Sequence, residues 1–230
     1  MTLPIAAKAP PLHRLLLLLS VTTGLVDAIS VLGLGKVFTA NMTGNIVFLG
    51  FAAVGTPGFR VAPYLAAIAA FLVGALVAGR VGRHHADLPQ RRWLLVAAAV
   101  ETLLLWIAAG VGVGFDNASQ TPGLSLFAII ALTGLAMGFR NATIRQLKVP
   151  DLTTTVLTLT VTGLAADSSL AGGSNPNWGR RVASIAAIFL GAAIGAVLVM
   201  QAGLALPLFL AGALILGGTL ACTPLGGEAA

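Results

Sequence analysis

Thr39-Ala40-Asn41-Met42-Thr43-Gly44-Asn45 runs directly into Ile46-Val47-Phe48-Leu49-Gly50-Phe51-Ala52-Ala53-Val54. The apolar run, residues 42–54, reaches about 20 Å at 1.5 Å per residue, against a hydrocarbon core roughly 30 Å thick. It is too short for a comfortable crossing and reads as a re-entrant or broken helix. A second short run, 152–166, follows Pro150-Asp151. How these two stretches are read decides how often the chain passes through a bilayer.

Around them lie six longer apolar runs, about 15–34, 61–82, 93–113, 124–140, 182–200 and 203–221. The 230 residues are 57% hydrophobic and 9% charged, where soluble domains carry about 25% charge. A water-soluble globule is therefore excluded, and little chain is left for any domain outside the bilayer. The net charge of +6 sits in the short polar breaks, which points to lipid topology and not to nucleic acid. The first 34 residues imitate a signal peptide but show no clear small-residue cleavage site. They read as a retained first span.

Charge placement chooses between the topologies. If the two short runs turn back and the N-terminus is cytoplasmic, only Lys36 and Arg60 of the 13 Lys and Arg fall outside. Eight full crossings give a far weaker bias. The positive-inside rule favours six crossings with both termini cytoplasmic. The fold expected is an all-α polytopic membrane bundle, one domain over 1–230, with six crossings and two short re-entrant or broken helices.

The chain also echoes itself at an offset of 110 residues. Thr23-Gly24-Leu25 returns as Thr133-Gly134-Leu135, and Asn41 to Asn45 faces Asp151-Leu152-Thr153-Thr154-Thr155. The halves, 14–113 and 124–221, share the order long, break, short, long, long. Three crossings per half is odd, so the second half inserts upside down, a 3+3 inverted repeat as in several transporter folds. Small pairs at four-residue spacing (Gly24/Ala28, Gly134/Gly138, Gly191/Gly195) suit close helix contacts inside the chain or a homo-oligomer seam.

Two acids lie deep in long runs. Asp27 is about 18 Å into the first span and Glu101 about 12 Å into the third from the same side. An intramembrane acid needs a polar cavity, a partner or a proton. It is either a titrating group on an ion path or a structural hydrogen-bonder. Arg140 ends the fourth run, where reaching inward to a carboxylate and snorkelling to the interface are equally natural. Asn141 follows it.

The polar breaks carry the other candidates. Asn41, Thr43 and Asn45 suit a helix start, whose free N–H groups attract anions or polar ligands. Asp151 reads as the cap of the second short helix. Thr154, Thr155 and Thr158, with Thr162, then share one helical face, set towards a cavity or bonded back to their own helix carbonyls. His84 and His85 read as a solvated loop, Cys222 as a packing residue, and Asn117-Ala118-Ser119 as a sequon that matters only in a suitable eukaryotic setting. No metal site, cofactor site, nucleophile elbow or phosphate loop is legible, so an enzyme is not expected.

Gly24-Leu25-Val26-Asp27-Ala28 followed by Phe38-Thr39-Ala40-Asn41-Met42-Thr43-Gly44-Asn45 resembles the signature of the YoaK-like family of bacterial membrane proteins. Gly138-Phe139-Arg140-Asn141-Ala142, then Pro150 to Thr158, is similar to its second signature, though Arg140 stands where a glutamine is expected. The resemblance implies a multi-pass protein of the bacterial inner membrane and supplies no substrate. The function expected is a small-molecule or ion transporter, coupled to a proton or cation through the acids. The alternative is a non-transporting membrane assembly or regulatory protein. The partners expected are the lipid bilayer and an unidentified small ligand, without nucleic acid.

Overall fold

A computed structural model describes residues 12–84, 89–147 and 157–223. Eight α-helices make up the described chain: α1 Leu12–Gly33, α2 Met42–Ala53, α3 Val61–His84, α4 Gln90–Val111, α5 Gly123–Leu147, α6 Leu157–Ala166, α7 Trp178–Ala202 and α8 Ala205–Cys222. Six are long and apolar enough to cross a membrane, and α2 and α6 are shorter. Among the described residues there is no strand, only an isolated bridge between Asp116 and Thr121. In lipid every backbone polar group must be paired within the protein, and helices do this segment by segment.

The helix ends follow the sequence with one instructive exception. The fourth apolar run stops at residue 140, yet α5 continues to Leu147. Its inner face does not end there, because Arg140, Thr143 and Ile144 are all buried. A polar residue interrupts hydropathy without interrupting packing.

α1 is the most enclosed of the long helices. It packs on α7 and α8, α3 packs on α5, and α4 packs on α5 and α8, with α2 on α3 and α6 on α7. Exchanging α1 with α5, α2 with α6, α3 with α7 and α4 with α8 leaves these principal pairings unchanged. One contact breaks the pattern: α7 also touches α8 across the Gly203-Leu204 turn.

Glycine sets the two largest seams. A Cβ on Gly24 would strike the Ile188 carbonyl, and one on Gly191 the Val21 carbonyl. In the other seam Gly138 lies against the Phe71 carbonyl and Gly74 against that of Leu135. Helices in lipid gain from close backbone approach because no hydrophobic drive joins them. The small-residue pairs read from the sequence thus serve internal contacts. Within each seam the helices run parallel, since contacts advance from Val21–Gly191 to Leu25–Gly195 and from Ala67–Gly134 to Phe71–Gly138. α4 and α8 run antiparallel, joined where the Thr102 hydroxyl donates to the Gly212 carbonyl (3.0 Å) and Trp106 Nε1 to that of Phe209 (3.1 Å).

Candidate functional site

The chain reverses after α1. Residues 34–41 fold back along the helix until the Ala40 N–H donates to Asp27 Oδ1 at 3.2 Å. Asp27 is six residues before the end of α1, so α2 begins well back along that helix. Asn45, the one buried residue of α2, clamps the returning segment. Its Oδ1 accepts from the Phe38 N–H at 2.9 Å and its Nδ2 donates to the Phe38 carbonyl at 2.5 Å. A side-chain amide can satisfy both backbone groups of one residue because it carries a donor and an acceptor side by side. Beyond the clamp, the Phe48 ring packs on Phe59 (5.3 Å) and Tyr64 (6.0 Å), which lays the far end of α2 on the start of α3.

Asn41 occupies the N-cap position of α2, but its side chain makes no capping hydrogen bond. The first turn of α2 opens instead on a crevice of about 680 Å³. Asn41, Thr43, Asn141 and Arg145 supply its polar lining, and Met42, Phe71 and Ile144 much of its apolar wall. Asn141 Nδ2 is held by the Met137 carbonyl one turn back at 2.8 Å.

Arg140 points the other way. Its guanidinium reaches inward and forms an ion pair with Glu101, the two side chains being 1% and 4% exposed. Nη1 also donates to the Leu19 carbonyl (3.2 Å) and to Thr23 Oγ1 (3.0 Å). Thr23 Oγ1 in turn donates to the Leu19 carbonyl at 2.8 Å. One arginine therefore ties α5 to α1 and α4. A buried pair is tolerated when further hydrogen bonds satisfy its remaining atoms.

The candidates thus fall into separate settings. Asn41, Thr43 and Asn141 meet at the crevice, where Arg145 joins them. Asn45 and Asp27 hold the returning segment, and Glu101 and Arg140 form a buried pair deeper in the bundle. Thr158 is exposed on α6. Asp151, Thr154 and Thr155 lie outside the described residues. Arg145 was missed in the sequence, although it sits one helical turn beyond Asn141 and so on the same face. Thr23, which holds Arg140, could not have been singled out, since its role depends on a contact between distant segments.

The second short helix is anchored by different chemistry. Arg181 Nη1 donates to the Gly163 carbonyl of α6 at 2.6 Å and pairs with Asp167 at 2.8 Å.

A family model described as a protein of unknown function, DUF1275, matches residues 15–221. The chain belongs to the DUF1275 family. A relative named UPF0700 transmembrane protein YoaK, from Bacillus subtilis (strain 168), is 35% identical over 161 residues, covering 68% of this chain and 67% of its own. No solved structure matches. The DUF1275 match takes in α2 to α7 and all but the outer ends of α1 and α8, so the crevice, the clamp and the ion pair all lie inside the family region. This is a multi-pass membrane protein.

Proposed function

We propose that this DUF1275 protein is a transporter of a small polar or anionic solute in the bacterial inner membrane, with both termini cytoplasmic. The carrying observation is the crevice at the start of α2. A short helix begins well back along its neighbour, its first-turn N–H groups without a side-chain cap, beside Asn41, Thr43, Asn141 and Arg145. Transporters of inverted-repeat design place substrate at such half-helix starts. The interchangeable pairing of α1–α4 with α5–α8 supports an inverted repeat, and the segment that returns to Asp27 supports a re-entrant α2. Arg145 and the positive end of the α2 dipole favour an anion, and among the described residues no carboxylate lines the crevice.

One observation favours the alternative of a non-transporting assembly or regulatory role. Glu101 borders a small cavity whose described lining does not include Asp27, and each acid is already matched by a protein partner. A coupling acid has to exchange its partner during a cycle.

Cysteine accessibility separates the readings. In a Cys222→Ser background, Asn41→Cys and Asn141→Cys should both react with a membrane-impermeant thiol reagent applied to the cytoplasmic face of inside-out vesicles. Residue 57 as cysteine should react only from the opposite face. Two crevice cysteines inert from both faces would remove the transporter reading. In proteoliposomes, charge movement on adding small organic anions should be present in the wild type and altered in its pH dependence by Asp27→Asn.

A further inference from the structure

The ion pair borders a second, much smaller cavity of about 20 Å³, lined by α1, α4, α5 and α8. Its polar lining is Glu101, Arg140, Thr143 and Thr219, and Leu15, Leu16, Leu19 and Ile215 form part of its apolar wall. Glu101, Arg140 and Thr143 are all at least nine-tenths buried. Arg140 spends Nη1 on Leu19 and Thr23 and Nη2 on Glu101, but among the described residues its Nε has no partner. The Thr143 hydroxyl has none either. Buried polar atoms without partners are rare, because each forfeits its full hydration. Here two of them, on successive turns of α5, line the same small cavity beside a carboxylate.

We infer that this cavity is a binding site for one ordered water, which accepts from Arg140 Nε–H, bonds the Thr143 hydroxyl and donates to the Glu101 carboxylate. Size, valence and charge all select water. One water needs roughly 10–15 Å³ of such space and two to four polar partners, and the cavity offers both. The lining presents donors and acceptors together, and water is the smallest molecule that serves both. A bare anion would sit against Glu101 and a bare cation against Arg140, each repelled at short range in a medium that screens weakly. The site belongs to the joint between the two halves, because Glu101 lies in the first and Arg140 and Thr143 in the second. It stands whether or not the chain transports anything.

The test turns on the sign of one substitution. Thr143→Val keeps the shape and removes the hydroxyl. With water in the cavity, the variant strips it of a partner, and the Tm of the purified protein falls by about 2–4 °C, the shift one ordinary hydrogen bond gives in a chain of this size. In a dry cavity the same change deletes an unpaired buried hydroxyl, and the Tm stays level or rises, which overturns the inference. The wild-type protein gives the second measurement, so a variant that fails to insert leaves the matter decidable. A map near 2 Å resolution should show a density peak roughly 2.7–3.2 Å from both Arg140 Nε and Thr143 Oγ1. No peak there, or a Thr143 hydroxyl turned onto a carbonyl of its own helix, overturns the inference regardless of the melting result.

Discussion

Asp27 and Glu101 are the same chemistry placed at two depths of one bundle, and the protein treats them differently. Glu101 faces a full opposite charge, the Arg140 guanidinium, which is itself held by α1. Asp27 faces a backbone N–H on a loop segment that has folded back to reach it. The first arrangement neutralises a charge and the second fixes a turn. Depth within the bilayer therefore does not assign a role to an acid; the group that meets it does.

The largest effect should come from breaking the charge pair on one side only. Arg140→Met leaves Glu101 buried without its partner and should cost about 3–5 kcal/mol, while Glu101→Leu combined with Arg140→Met should recover most of the loss. Thermal melts of both single variants and the double in one detergent decide this. A double variant no better than Arg140→Met would mean that the pair is not what Arg140 is for.

Next comes the clamp that brings the returning segment to Asp27. Asn45→Leu abandons both backbone groups of Phe38 and should cost roughly 2–4 kcal/mol. It should also speed hydrogen exchange across residues 36–41, and unchanged exchange there would break the link between clamp and segment. A smaller loss, about 1–3 kcal/mol, is expected for Asp27→Leu, which orphans the Ala40 N–H. Asp27→Asn should cost under about 1 kcal/mol, because the amide oxygen still accepts that bond. Equal losses for Leu and Asn would show that the charge of Asp27 matters and would erase its contrast with Glu101.

The smallest effect belongs to Asp116, an acid outside the spans. The Ser119 hydroxyl and the Ala118 N–H donate to its carboxylate at 2.6 and 2.9 Å and hold its pKa below the ordinary 3.8. A lowered folded pKa adds stability that is present above the unfolded value and lost as pH falls through the folded one. The turn at 116–119 should therefore keep its order to mildly acidic pH and loosen only below the ordinary aspartate range. The Ser119→Ala variant should loosen at higher pH, as followed by amide exchange in that turn.

Much of the architecture was legible because lipid imposes a length rule on apolar runs, and α1, α3, α4, α7 and α8 end within a few residues of where hydropathy changes. α5 overran its apolar run because Arg140 is polar by composition and buried by position. Counting residues placed Asp27 and Glu101 deep in their spans. It could not supply their partners, since Arg140 is 39 residues from Glu101 in sequence and meets it only when α4 packs on α5. Asn41, with the residue type of a cap, makes no capping bond, while Asn45 does the holding. A residue type states what a side chain can bond, and only the fold states what comes within reach.

The pairing of the long helices also has a consequence in time. α1 has its largest seam with α7, whose first residue lies some 166 positions further along the chain. At about 5–20 residues per second of synthesis, α1 waits roughly 10–30 s in the bilayer before that neighbour exists. Through this interval Gly24 and its small-residue face are open to any other helix in the membrane. A nascent chain of this design is therefore most exposed to wrong pairing early, at the helix that ends up most enclosed, and its first half cannot finish folding until its second half arrives.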